Sequence, residues 1–124
     1  MQEEIKTCLR EAGVDVEGAL ERLMGSEALL ERFLKKFPAD PNYAELVSAV
    51  ERGDHEAALT AAHTLKGMCG NLSMTALFDL LTRQVALFRA EDWAGAAGLM
   101  PEISDAYARV TSAIGQLMYI HAFF

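Results

Sequence analysis

The chain has 124 residues, a hydrophobic fraction of 52% and a formal net charge of −7. This length and composition suit a single domain over residues 1–124 with a sizeable packed core. The longest basic run is Lys35-Lys36, too little to hold a phosphate backbone or an anionic lipid surface, so neither nucleic acid nor a membrane is expected as a partner.

The N-terminus, Met1-Gln2-Glu3-Glu4, is acidic and lacks the apolar stretch of a secretory signal. No apolar run approaches the roughly 20 residues of a membrane span. Leu117 to Phe124 is apolar but too short. Two cysteines, Cys8 and Cys69, with no disulfide framework suit a reducing cytoplasm. The sparse His and Cys residues lack metal-ligand spacing, so no metal and no cofactor is expected.

Every periodic segment reads as helix, and no period-two strand stands out. The first helix runs from about Glu3 to Ala12 and stops at Gly13. Asp15 caps a second over Val16 to Met24, and Gly25-Ser26 breaks it. Ser26 caps a third that carries Leu29, Leu30, Phe33, Leu34 and Phe37 and ends at Pro38. That apolar group reads as core, with some of it available as a docking rim. Asp40-Pro41 starts the next helix, a cap followed by proline, which runs to Arg52 and ends at Gly53. Asp54 caps a long helix to about Gly70. Ser73 can cap the return helix, with Leu77, Leu80, Leu81 and Phe88 on one side. Glu91-Asp92 marks a turn. A last helix starts near Trp93 and is expected to bend at Pro101, which cannot donate to the carbonyl of Ala97. Connections this short join antiparallel neighbours. The expected fold is all-α: an antiparallel up-down four-helix bundle over about 40–119, with additional short N-terminal helices over about 3–37.

The helix after Asp54 carries the most informative stretch, Ala62-His63-Thr64-Leu65-Lys66-Gly67-Met68-Cys69-Gly70-Asn71. At about 100° per residue, Ala58, Ala61, Ala62, Leu65, Met68, Cys69 and Leu72 fall within roughly 60° of one line, and His63 sits about 160° from it. Cys69 therefore reads as a buried free thiol. Gly67 and Gly70 share the outer face with His63. Two glycines on an exposed helix face cost about 1 kcal/mol each relative to alanine. Stability does not ask for them there, whereas a partner backbone approaching the imidazole would. An exposed imidazole can act as a nucleophile near neutral pH. Phosphoryl transfer to it needs positioning and positive charge, which Lys66 can supply one turn on. No glycine-rich phosphate loop is present, so a phosphoryl group would have to come from another protein.

His63-Thr64-Leu65-Lys66-Gly67 followed by Gly70-Asn71-Leu72 resembles the signature of histidine-containing phosphotransfer (HPt) domains of bacterial multistep phosphorelays. Gly53-Asp54 resembles the turn before the family's histidine helix, and Arg89-Ala90-Glu91-Asp92 the turn after the next one. The similarity covers roughly Glu27 to Leu117. It implies a four-helix bundle with His63 as phosphoacceptor and Lys66 and Gly67 as its neighbours. It also implies partners: response-regulator receiver domains, a hybrid histidine kinase, or both, with the metal ion on the receiver. The chain would be a cytoplasmic, monomeric phosphorelay intermediate without autonomous catalysis. Leu59, Thr60, Gly70, Asn71 and Gln84 are the candidate partner contacts. Two departures stand out. Many members have glycine where this chain has Ser73. Many also place Gln or Glu, where this chain has Val85, to reach the imidazole; the adjacent Gln84 falls on the apolar stripe by its angle. The alternative is therefore a helical interaction module that binds a receiver or kinase without being phosphorylated. His55 and His121 read as surface residues, and no convergent acid supports His63 as the general base of an enzyme.

Overall fold

The computed structural model describes the backbone of residues 1–123 and the side chains of residues 1–119. His121 and the end of the apolar C-terminal run lie outside the described side chains. Eight α-helices follow in order among the described residues: α1 (Glu3–Glu11), α2 (Val16–Arg22), α3 (Glu27–Lys36), α4 (Asn42–Glu51), α5 (His55–Asn71), α6 (Thr75–Arg89), α7 (Trp93–Gly98) and α8 (Met100–Phe123). A 3-10 turn, Phe37–Ala39, carries Pro38 and ends α3.

Side chains chosen for short-range hydrogen bonding set most starts. Asp15, Ser26, Asp54 and Asp92 each accept a hydrogen bond from the amide three residues on, at 3.0, 3.2, 3.1 and 2.9 Å. Asp40 acts one residue earlier than a simple cap: its Oδ1 accepts from Asn42 N at 2.9 Å and from Asn42 Nδ2 at 2.7 Å, while Pro41 occupies the cap position itself. The stops share a geometry too. At the ends of α1, α4, α5 and α6 the residue after the C-cap is left-handed and two amides bond back to the last turn.

Three expectations at the ends change. Ser73 does not cap α6. It is the left-handed residue that closes α5, with φ 54°; its amide bonds to Gly70 O at 3.2 Å and that of Met74 to Cys69 O at 2.9 Å. The cap position of α6 is Met74, which offers no side-chain acceptor. The helix from Trp93 does not bend at Pro101 but stops: α7 ends at Gly98, and Pro101 lies in the first turn of α8, where its missing N–H costs nothing. α2 also ends earlier than expected, at Arg22, because Met24 and Gly25 both take left-handed conformations.

The bundle is α4, α5, α6 and α8. α4 and α6 flank α5, and α8 packs on α6. Tyr43 of α4 closes the ring by stacking on Tyr107 of α8, ring centroids 3.7 Å apart, and by donating from its hydroxyl to Ser104 Oγ at 2.8 Å. α4 has ten residues and α5 seventeen, about 15 and 26 Å, so α4 leaves the far half of α5 uncovered. The N-terminal helices fill that space. α1 and α3 pack on α8, and Ile5, Leu9, Leu30, Leu34 and Phe37 join one core with Leu65, Leu81 and Ile114. The loop after α1 is fastened to the α5–α6 turn: Asp15 N donates to Ser73 O at 2.8 Å and Thr75 Oγ1 to Gly13 O at 3.2 Å.

Candidate functional site

The site is the outer face of α5. Its inner face is made of Ala58, Ala61, Ala62, Leu65 and Cys69, all buried. Three alanines there let neighbouring helices approach closely, and the histidine face turns outward as a consequence. Burial pushes the Cys69 thiol pKa up to about 12, so it stays a neutral core group.

His63 is exposed, together with Thr60, Thr64, Gly67 and Asn71; Leu59, Lys66, Met68 and Gly70 are half-buried. Neither His63 nor Lys66 makes a side-chain hydrogen bond or ion pair among the described residues. Both the imidazole and the ammonium are therefore available to an incoming group. A Cβ placed on Gly67 would meet nothing within 4 Å, so the space over the next turn is open. Leu59 packs against the core with part of its side chain and presents the rest one turn before His63.

Gly70 has a different reason for lacking a side chain. A Cβ there would come within 3.1 and 3.3 Å of the Phe78 ring of α6. Its carbonyl accepts a hydrogen bond from the Arg22 guanidinium of α2, which caps the negative end of α5. A side chain at this position would therefore crowd the Phe78 ring.

Gln84 is not a partner contact. It is fully buried. Its Nε2 donates to Ala96 O at 3.0 Å and lies 3.1 Å from Met100 Sδ. It ties α6 to the α7–α8 junction, and its Oε1 has no hydrogen-bond partner among the described residues. Val85 is buried as well. No amide on α6 is hydrogen-bonded to the His63 ring.

Three features of the surroundings come from how elements pack together. A groove of about 760 Å³ runs between the second half of α5, α2 and α3, lined by Leu23, Phe33, Phe37, Met68 and Leu72 with Arg22 and Lys36 among its polar residues. Of the apolar group on α3, Leu30 and Leu34 are core, whereas Phe33 is 38% exposed and serves the groove. On the other side of Thr60, Asn42, Glu45, Asp54 and Glu56 line a smaller hollow of about 360 Å³. His55 is exposed, as expected, but it stacks on Trp93 with ring centroids 4.0 Å apart and planes 10° from parallel. Such a pair joins residues far apart in sequence, and no periodicity predicts it. Among the described residues, no group of three or more His, Cys, Asp or Glu is placed to hold a metal ion. No helix among them is long and apolar enough to cross a membrane.

The fold and site describe a helical bundle that presents one unbonded imidazole beside a lysine on an open helix face. The Hpt domain family model matches residues 28–113, most of the chain, and the chain belongs to that family. Hpt domains are the phosphotransfer modules of phosphorelays, work with receiver domains or kinases, and are not ATP-binding catalysts. No curated protein and no solved structure matches the chain.

Proposed function

We propose that the chain is a phosphorelay intermediate that accepts a phosphoryl group on His63 from a receiver-domain aspartate and returns it to another receiver. The observation that carries this reading is the exposed, unbonded His63 with Lys66 one turn on and open space above Gly67. In the forward step the neutral imidazole attacks phosphorus through Nε2, the ring nitrogen farther from the backbone. The N–P bond forms, the acyl phosphate P–O bond breaks, and the aspartate leaves as a carboxylate. The Lys66 ammonium offsets negative charge on the three equatorial oxygens, and the metal ion that shares this task belongs to the receiver. Gly67 leaves room for the donor's loops. A cytoplasmic, monomeric protein is part of the same proposal, and so is docking over Leu59, Thr60 and Asn71.

A second reading, a receiver-binding module that is not phosphorylated, is favoured by one observation: no α6 amide is bonded to the imidazole, because Val85 and Gln84 are both buried. One experiment separates the two. The protein is incubated with phosphorylated receiver domains and examined for an acid-labile, base-stable label. The first reading expects the label on His63 and none on His63→Gln. Melting should be unchanged within about 0.5 kcal/mol, as for most exposed substitutions. Binding of receivers without any label establishes the second reading.

A further inference from the structure

We propose that the groove beside the histidine face is a partner-selecting seat. It takes one amphipathic helix of the receiver domain, with apolar side chains inward and carboxylates toward Lys36 and Arg22. This rests on the reading of the chain as a phosphorelay intermediate and adds a surface that tells one receiver from another.

The groove has the form of an unfilled helix position. Met68, Asn71 and Leu72 line it from α5, and Phe33, Lys36 and Phe37 from the end of α3. Both sets have the i, i+3, i+4 spacing of the ridges against which a further helix packs. An occupant that follows two helical walls is a helix laid in a groove. Leu23, just past α2, adds to the apolar lining. Phe33 is partly exposed, and Met24, the next residue after Leu23, is 95% exposed. Met24 also holds φ 56°, a left-handed conformation that glycine takes without cost. Folding has no use for an exposed methionine in that conformation. A binding surface does, because methionine is apolar and adaptable.

Charge selects the occupant. Lys36 is exposed and makes no side-chain hydrogen bond or ion pair among the described residues. Arg22 donates to Gly70 O and keeps its full charge. Asp40 is the one carboxylate in the lining, and its Oδ1 is taken up by Asn42. In a chain of net charge −7, this cationic rim favours a helix flanked by carboxylates, whereas a second copy of the chain meets repulsion between like net charges.

Position ties the groove to His63. Met68 and Asn71 lie about 8 and 12 Å beyond His63 along the helix axis, with open space over Gly67 between them. A standard interface covers about 800 Å² per partner, a disc of about 16 Å radius, so a receiver centred on His63 reaches the groove. The wall made by α2, Leu23 and Met24 precedes residue 28, where the match to the Hpt family begins. That wall is this chain's addition to the shared bundle, and its task is discrimination between receivers rather than phosphoryl chemistry.

The test titrates the full chain, ¹³C-labelled at its methionine methyls, with a panel of unphosphorylated receiver domains. Affinity and methyl shifts are measured for the wild type, Phe33→Ala, Lys36→Glu and Met24→Gly. A receiver that binds should move the Met24 and Met68 signals. Phe33→Ala and Lys36→Glu should each weaken it about tenfold, the loss expected of an interface hot spot, with melting temperatures unchanged. The Lys36→Glu loss should shrink in high salt. Met24→Gly should melt no lower than the wild type and still bind more weakly. A receiver that leaves Met68 unshifted, or binds Phe33→Ala and Lys36→Glu as tightly as the wild type, overturns the seat. So does a panel in which no receiver binds, or a Met68 signal that moves with the chain's own concentration, which makes the occupant a second copy. Receivers seated in the groove whose phosphorylated forms never label His63 overturn the phosphoacceptor reading and leave the seat standing.

Discussion

At the scale of single residues, two glycines on one face of α5 are kept for opposite reasons. Gly67 faces open space and Gly70 faces the Phe78 ring. Replacing Gly67 with Gln should leave the melting temperature unchanged or raise it slightly, since it removes a poor helix former. The new side chain leans back over the imidazole, so transfer from a receiver should be obstructed. Stability and transfer then move in opposite directions, as for a residue kept for approach. An unaffected transfer rate would mean that the partner does not come in over Gly67. Lys66 is tested separately. Lys66→Ala should slow transfer from a receiver roughly tenfold or more, equivalent to about 1.4 kcal/mol of transition-state stabilisation. Rates equal to wild type at low and moderate salt would reduce Lys66 to a solvated charge.

At the scale of elements, the α5–α6 hairpin is held by its turn. Ser73 adopts φ 54° there and is buried. A side chain in the left-handed region costs about 1–2 kcal/mol, which glycine does not incur. Ser73→Gly should therefore raise stability by roughly 1 kcal/mol in denaturant titration, with labelling of His63 unaltered. A loss of stability would show that the Ser73 side chain contributes more to the turn than its backbone strain takes away. The Ser73 carbonyl also accepts the Asp15 amide, so the same turn holds the α1–α2 loop.

At the scale of the whole molecule, the N-terminal helices are tied to one another by charge. Glu27 of α3 bonds Lys6 of α1 at 2.7 Å and the N-terminal ammonium at 2.6 Å. These partners, Lys6 first, hold its carboxyl pKa at about 2, well below its ordinary value. A carboxylate with a depressed folded pKa stabilises the fold above its unfolded value. That contribution is lost as pH falls from about 4.5 toward about 2. In acid melting, Glu27→Gln should show a shallower loss of stability over that window than the wild type. The difference should shrink in high salt, because Glu27 is 38% exposed and its partners are screened. Identical acid limbs would remove the clamp from the account of how α1 and α3 are held.

What the sequence determined by itself was local or periodic. Asp15, Ser26 and Asp54 announce helix starts because a cap bond spans three residues. The small and apolar residues of α5 place His63 outside because a helix has a fixed pitch. The contiguous motif from His63 to Leu72 points to the Hpt family, whose model the chain matches. The tertiary structure decided whatever depends on residues distant in the chain. Gln84 has the angle of a core residue, but only the fold shows that Ala96 and Met100 take up its amide. Gly70 reads like Gly67 until Phe78 is seen against it. Ser73 reads as a cap, because the preference of serine for helix starts is local, whereas its left-handed backbone is imposed by closing α5 and by the loop docked on that turn. The groove beside the histidine face exists because α4 is shorter than α5 and the N-terminal helices complete that wall, an arrangement of lengths and packing that no single segment encodes.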